Sequence, residues 1–118
     1  MKTLIIGASV NPDRYSYKAA RSLTAHRHEI VLLGAKKGEL FGQPILEGFP
    51  AFEGIDTVTL YLNPTRQEAY YDYILELAPR RILFNPGTEN PAFVLLATQA
   101  GITCENACTL VLLATNTF

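Results

Sequence analysis

The sequence predicts a single-domain α/β fold built on a doubly wound parallel sheet with helices on both faces. Three observations support this prediction. Apolar runs alternate with helix-like runs, and the apolar runs are continuous, which is typical of strands buried on both faces. The first apolar run stops sharply at Gly7, before a polar loop and a helix. The length of 118 residues suits one domain with its own core.

Each element is predicted from local signals. In chain order we expect the strand "KTLII", a helix from about Ser16 to His26, the strand "EIVLL", a short edge strand around Gln43 to Leu46, the strand "TVTLYL", a helix from about Arg66 to Leu77, the strand "RILF", a helix from Pro91 to Ala100 and the strand "ITCEN". The rest of the segment between Gly34 and Ile55 is expected to be loop. Pro44 is compatible with an edge strand, which does not donate on both sides.

Two helix starts carry specific capping signals. Thr65 as N-cap, with Glu68 three residues later, predicts a capping box. Asn90 is expected to cap the later helix, with Pro91 at its first position and Gly101 at its left-handed end.

Right-handed crossovers give the strand order 3-2-1-4-5-6. Ligands of such sheets bind at the carboxyl ends of the strands where the winding reverses, here between the first strand and "TVTLYL". The loops "GASVNP", "NPTR" and "NPGTEN" meet there, and each leads into a helix N-terminus. Free N–H groups and the helix dipole favour an anion, so a phosphate or pyrophosphate is the expected ligand.

The first loop is the predicted phosphate cradle. Gly7 would allow close approach of the ligand to the backbone, Ser9 and Asn11 could donate to phosphate oxygens, and Ser16 or Tyr17 would begin the helix beneath. NAD enzymes usually carry an acidic residue at the end of the second strand. Lys36 and Lys37 stand there instead and suit an additional phosphate on the ribose, while two solvated lysines remain the structural alternative.

Composition excludes several other functions. A net charge of -1 offers no field for nucleic acid or an anionic membrane, and no run reaches the roughly 18 apolar residues of a membrane span. The apolar start is also too short for a signal-peptide core, so a cytoplasmic location is expected. Cys104 and Cys108 lack partners for a metal site, and Cys108 is the better candidate for a reactive thiol. His26 and His28, at the end of the first helix, are expected to be structural.

The segment "GASVNPDRYSYKAARSL", the later "NPGTEN" and the strand "ITCEN" resemble the small stand-alone CoA-binding domain proteins. That family is Rossmann-like and related to the CoA-binding domain of the succinyl-CoA synthetase alpha subunit. The resemblance covers nearly the whole chain. Members commonly carry Asn-Pro or a similar pair before the lysine that follows the second strand, where this chain has Gly34-Ala35.

The resemblance implies CoA or acyl-CoA as the ligand and gives roles to particular residues. The glycine loop would hold the pyrophosphate, the lysine after the second strand would lie near the nucleotide phosphates, and the two later loops would line the adenine side and close the site. Carried onto this chain, the binding residues are Gly7, Ala8, Ser9, Asn11, Pro12, Tyr17, Lys36, Lys37, Asn63, Pro64, Asn85, Pro86 and Gly87.

The sequence thus predicts a binder of CoA or acyl-CoA without catalysis of its own, since no nucleophile, carboxylate pair or metal set is recognisable. The alternative is an NAD- or adenine-nucleotide-binding enzyme or regulatory subunit that uses the same site. A third reading is a partner module whose ligand regulates assembly. The helix "PAFVLLATQAG" and the tail "TLVLLATNTF" are apolar nearly all round, which predicts a homodimer through this region.

Overall fold

Strands and helices alternate along the chain, and the computed structural model describes residues 2–118. The strands are β1 (Lys2–Ile6), β2 (Glu29–Leu33), β3 (Gly38–Leu40), β4 (Gln43–Leu46), β5 (Thr57–Leu60), β6 (Arg81–Phe84) and β7 (Thr103–Asn106). The helices are α1 (Tyr15–Ala25), α2 (Pro64–Gln67), α3 (Tyr71–Leu77), α4 (Pro91–Gln99) and α5 (Thr109–Ala114), with a 3₁₀ turn at Glu68–Tyr70 between α2 and α3. Within residues 2–118, no helix is long and apolar enough to cross a bilayer.

The strands form one seven-stranded sheet in the order β3-β4-β2-β1-β5-β6-β7. All neighbouring pairs are parallel except β3 with β4, so the doubly wound, Rossmann-like class is confirmed. The strand order differs from the prediction in one detail: the six expected strands occur in the expected sequence, and β3 is added outside them. The winding reverses between β1 and β5, which places the carboxyl ends of these two strands side by side.

Strand β3 lies in the segment that was predicted as loop, so β4 is not the edge strand. Phe41 and Gly42 connect β3 to β4 with φ values of 51° and 83°, as a tight type I′ hairpin requires. Pro44 is tolerated for another reason than the predicted one. It faces Glu39, one step from the Leu40–Gln43 pair that closes the turn. Because antiparallel pairs alternate between hydrogen-bonded and non-bonded, this position needs no N–H.

The sheet is buried on both faces, which explains its continuous apolar strands. One face packs under α3 and α4 around Leu4, Ile6, Val58 and Phe84. The other face packs under α1 and α5 around Ile5, Leu32 and Leu113. Burial of both faces at roughly 25 cal/mol per Å² of apolar surface is the main stabilising contribution in such a domain.

The two capping predictions have different outcomes. For α4 the prediction is confirmed, because Asn90 Oδ1 accepts from the Phe93 N–H at 3.1 Å. For α2 it is wrong: Asn63, not Thr65, is the N-cap, and its Oδ1 accepts from the Arg66 N–H at 2.9 Å. Pro64 follows Asn63 and fixes the dihedral of the first helical position, so the helix begins before Thr65.

The helix expected from Arg66 to Leu77 is interrupted, and the reason is a buried glutamine. Gln67 is fully buried, and its Nε2 donates to the carbonyl oxygens of Leu62 and Thr88, each at 2.8 Å. Its Oε1 accepts from Asn90 Nδ2 at 2.9 Å. These bonds hold the end of α2 against the loop after β6, and the chain passes through a 3₁₀ turn before α3 begins. The short helix α5 was not predicted.

Candidate functional site

A cavity of about 580 Å³ opens at the carboxyl ends of the strands, where the winding reverses. Four segments form it: the loop after β1 with the start of α1, the end of β2, the end of β5, and α2. The lining residues are Gly7, Ala8, Ser9, Val10, Asn11, Arg14, Tyr15, Ser16, Ala35, Lys36, Tyr61, Leu62 and Arg66. The cavity therefore lies where the topology predicts a ligand site.

The turn after β1 is fixed by the protein itself. The N–H groups of Gly7 and Ala8 both donate to the Leu33 carbonyl oxygen at 2.9 Å, so they tie the loop to β2 and do not face a ligand. Gly7 has a φ of +99°, and a methyl group there would lie 2.8 Å from the Tyr61 carbonyl oxygen. Glycine is required at this position because the β5 backbone passes so close.

Backbone N–H groups without an acceptor begin at the residue after Ala8. Within residues 2–118, the N–H groups of Ser9 and Val10 meet no acceptor. The loop that carries them is held in shape by short polar contacts: the Asn11 N–H donates to Ser9 Oγ at 3.1 Å, and the Asp13 N–H donates to Asn11 Oδ1 at 3.0 Å. The Arg14 N–H completes the turn by donating to the Asn11 carbonyl oxygen. The loop thus presents two unused donors on a preformed backbone.

The start of α1 adds further donors. Arg14 occupies the N-cap position but makes no side-chain capping bond, and the first three helical N–H groups meet no acceptor in the described part of the chain. By contrast, α2 and α4 are capped by Asn63 and Asn90. Of the three predicted loops, the first therefore leaves its helix N-terminus open to an external anion.

Positive charge surrounds this open helix start. Lys36 follows β2 on one side of β1, Arg66 follows β5 on the other, and Arg14 precedes α1 itself. No acidic side chain lines the cavity, and none of these three cations forms an ion pair within residues 2–118. A protein with a net charge of -1 thus has a local cationic cavity that suits a ligand with more than one anionic group.

The structure brings some of the predicted binding residues together and separates others. The cavity is lined by Gly7, Ala8, Ser9, Asn11 and Lys36 from the predicted set. The predicted residues outside its lining are Pro12, Tyr17, Lys37, Asn63, Pro64, Asn85, Pro86 and Gly87. The Tyr17 ring packs on Phe41, with ring centroids 5.4 Å apart.

Sequence reasoning missed both arginines of the cavity. Arg14 lies directly before the first helix, and Arg66 lies three residues after the Asn that caps α2. A basic residue near each helix start was the signal that could have identified them, because those loops had already been assigned to the site. Val10, Tyr15 and Tyr61 were also missed.

The side chain of Asn85 has a structural role, because its polar atoms bond within the protein. Its side chain is 2% exposed, and Nδ2 donates to Thr59 Oγ1 at 2.6 Å and to the Leu60 carbonyl oxygen at 2.9 Å. Its Oδ1 accepts from the Thr109 N–H at 2.9 Å. Thr59 and Thr109 also share a hydrogen bond of 2.8 Å between their hydroxyls. Asn85 therefore joins β5, the end of β6 and the start of α5, and we expect no direct ligand contact from its side chain.

We expect Asn85→Ala to lower the free energy of unfolding by about 2 to 3 kcal/mol, because it leaves buried polar groups of β5 and α5 without partners. Urea unfolding measures the loss. The control is Asn63→Ala, which removes an exposed helix cap and should cost about 1 kcal/mol. Equal losses in the two variants would contradict the structural role of Asn85.

Burial shifts the pKa of three further groups. Burial raises the pKa of Tyr61 to about 12. Burial also raises the pKa of Cys104. His26 and His28 lie at the far end of α1, beside a separate cavity of about 170 Å³. Burial is the main cause that lowers the pKa of His28.

Comparisons with known proteins agree with this geometry. A family model described as "CoA binding domain" matches residues 1–114. A solved structure of an uncharacterized protein is 49% identical, with a TM-score of 0.97, and the match covers 99% of this chain and 97% of that one. No curated protein matches the chain.

More distant solved structures share the fold. A Thermus thermophilus protein is 20% identical with a TM-score of 0.88, over 99% of this chain and 90% of that one. A conserved hypothetical protein from Pyrococcus furiosus is 18% identical with a TM-score of 0.79, over 93% of this chain and 97% of that one. At these identities the likeness concerns the architecture alone.

Proposed function

This chain belongs to the CoA-binding domain family, and on that premise we propose that it binds CoA or an acyl-CoA in the cavity at the carboxyl ends of the strands. The protein acts in this proposal as a binder or carrier and performs no chemistry on the ligand. The family supports CoA binding in general. The position of the ligand and the absence of catalysis are our own inferences.

The observation that supports this proposal is the cationic cavity around the uncapped start of α1. CoA carries a pyrophosphate and a separate phosphate on its ribose, so it presents anionic groups at two points. In our assignment the pyrophosphate accepts from the Ser9 and Val10 N–H groups and from the first turn of α1. Arg14 and Arg66 add charge beside it, and Lys36 at the end of β2 meets the ribose phosphate.

The end of β2 also discriminates between nucleotides. A site for NAD usually has a carboxylate at this position to accept from the ribose hydroxyls. Here Gly34, Ala35 and Lys36 follow the strand, and a methyl group on Gly34 would lie 2.4 Å from the Ala8 carbonyl oxygen. The tight contact leaves no room for a side chain at position 34, directly after β2. The alternative of an NAD- or adenine-nucleotide-binding enzyme or regulatory subunit is therefore ranked second.

Two further properties belong to the same proposal. The exposed Leu95 and Leu96 on α4 are the surface through which we propose a homodimer, while Val111 of the tail lies on α5, which covers the opposite face of the sheet. A cytoplasmic location is proposed as well, and the two free cysteines, Cys104 and Cys108, are compatible with a reducing compartment. Both stay predictions.

Thermal unfolding with CoA, dephospho-CoA, NAD and ATP in parallel tests the proposed ligand. A ligand at 100 times its dissociation constant stabilises the native state by about 2.7 kcal/mol. For a domain of this size the melting temperature should rise by roughly 10 °C. We expect the largest shift with CoA and a smaller one with dephospho-CoA at the same concentration. A shift with NAD alone, or with none of the four, would refute the proposal.

A matched pair of variants separates the two adjacent lysines in the same experiment. Lys36 lines the cavity and Lys37 does not. Lys36→Gln should weaken CoA binding about tenfold while changing dephospho-CoA binding far less, because it removes a partner of the ribose phosphate. Lys37→Gln should change either affinity less than twofold. Equal effects of the two substitutions would contradict the assignment of Lys36 to the ribose phosphate.

A further inference from the structure

One edge of the cavity is apolar and exposed, although the rest is cationic. Val10 and Tyr15 both line the cavity, and they are 54% and 66% exposed. We call these two residues the apolar lip. They stand beside the free N–H groups of the loop and the open start of α1, so the apolar surface adjoins the proposed pyrophosphate position.

The apolar lip is held in place by its neighbours. Val10 packs against the backbone of β3, where a methyl group added to Gly38 would lie 2.5 Å from Val10 Cγ1. The Tyr15 ring lies under Lys18, whose Nζ is 5.1 Å from the ring centroid. Each residue is therefore packed on one side and open to the cavity on the other. The contact with β3 restricts Val10 and so reduces the conformational entropy that its side chain loses on binding.

An apolar surface next to a pyrophosphate cradle selects among nucleotides. In CoA, the carbon two bonds from the outer pyrophosphate oxygen carries two methyl groups and begins the pantetheine arm. NAD has a second ribose at the same distance, and simple nucleotides end at the phosphate. Of these ligands, CoA places apolar atoms within reach of the lip when its pyrophosphate occupies the cradle.

We propose that the apolar lip of Val10 and Tyr15 recognises the dimethyl-bearing start of the pantetheine arm and thereby distinguishes CoA from nucleotides of equal charge. This inference rests on the proposed function, since it takes the pyrophosphate position from it. The lip determines specificity, while Arg14, Lys36 and Arg66 supply affinity for any ligand with these phosphates.

The test compares CoA with adenosine 3′-phosphate 5′-diphosphate whose terminal phosphate carries a methyl ester, which has the same nucleotide and the same charge as CoA and lacks the pantetheine arm. Burial of two methyl groups should make CoA bind about tenfold more tightly to the wild-type protein in titration calorimetry. Val10→Thr keeps the shape of the side chain and replaces a methyl by a hydroxyl. We expect it to weaken CoA binding about fivefold and to leave binding of the arm-less nucleotide unchanged.

The matched control is Val111→Thr, a valine with a similar exposure of 57% that lies on α5, outside the cavity lining. This substitution should leave both affinities unchanged. Equal affinity of the wild-type protein for the two ligands would overturn the inference and leave the proposed function intact. A loss of both affinities in Val10→Thr would also overturn it and would indicate contact with the nucleotide itself. No binding of either ligand would instead refute the proposed function.

Discussion

Replacing Gly7 by alanine is expected to lower the free energy of unfolding by about 3 kcal/mol, through two effects that add at one position. The φ of +99° is strained for any residue with a side chain, and the new methyl group would lie 2.8 Å from the Tyr61 carbonyl oxygen. The contact cannot relax cheaply, because the opposing atom is backbone directly after β5, and Gly7 itself directly follows the adjacent β1. Urea unfolding at constant pH gives the loss directly.

Gly48→Ala is the matched control for this prediction. Gly48 also has a positive φ, +77°, but a methyl group there would meet nothing within 4 Å. Gly48→Ala should lower the free energy of unfolding by about 1 kcal/mol, through backbone strain alone. The difference between the two variants measures the close approach of β1 and β5. If the two losses were equal, the contact with Tyr61 would not limit the size of the residue at position 7.

The second large effect is expected from the two arginines of the cavity. Arg14→Gln combined with Arg66→Gln should weaken CoA binding about 100-fold, since it removes two charged donors beside the proposed pyrophosphate position. Dephospho-CoA should lose affinity by the same factor, because it shares the pyrophosphate. Titration calorimetry of both ligands gives the two ratios, and the wild-type affinity should fall more steeply with salt than that of the double variant.

A control variant with the same change of net charge accompanies this prediction. Arg21→Gln combined with Lys37→Gln removes two exposed cations that do not line the cavity. Its CoA affinity should stay within about twofold of the wild type, because neither side chain lines the cavity and solvent-exposed charges are screened at physiological salt. An equal loss in this control would show that the overall charge of the protein, and not the cavity, governs binding.

The fold could be predicted because its signals are local and repeated. Continuous apolar runs such as Leu4–Ile6 are explained by a sheet buried on both faces, and the alternation with helices fixes the crossovers. Strand β3 could not be predicted, since its three residues, Gly38–Leu40, are too few to show periodicity. Its turn also places Phe41 at a positive φ, which the amino-acid type disfavours. Tertiary packing of the hairpin overrides that preference.

The site was predicted from loop composition, and composition does not say which polar groups are already in use. Asn11-Pro12, Asn63-Pro64, Asn85-Pro86 and Asn90-Pro91 are the same dipeptide at the same edge of the sheet. In the structure the first asparagine shapes the loop after β1, the second and fourth cap helices, and the third is buried between strands. The capping bonds of Asn63 and Asn90 are local, whereas the bonds that bury Asn85 join residues 24 and 26 positions apart, and composition shows neither.

The buried bonds around Asn85 bear on the order in which the protein acquires its structure during synthesis. Thr59 and Thr109 are 50 positions apart, and both complete their hydrogen bonds through this one amide. Because the N-terminal part leaves the ribosome first, the Thr59 hydroxyl meets Asn85 before its second partner, the Thr109 hydroxyl, is available. Cotranslational folding should therefore remain reversible until α5 has left the exit tunnel.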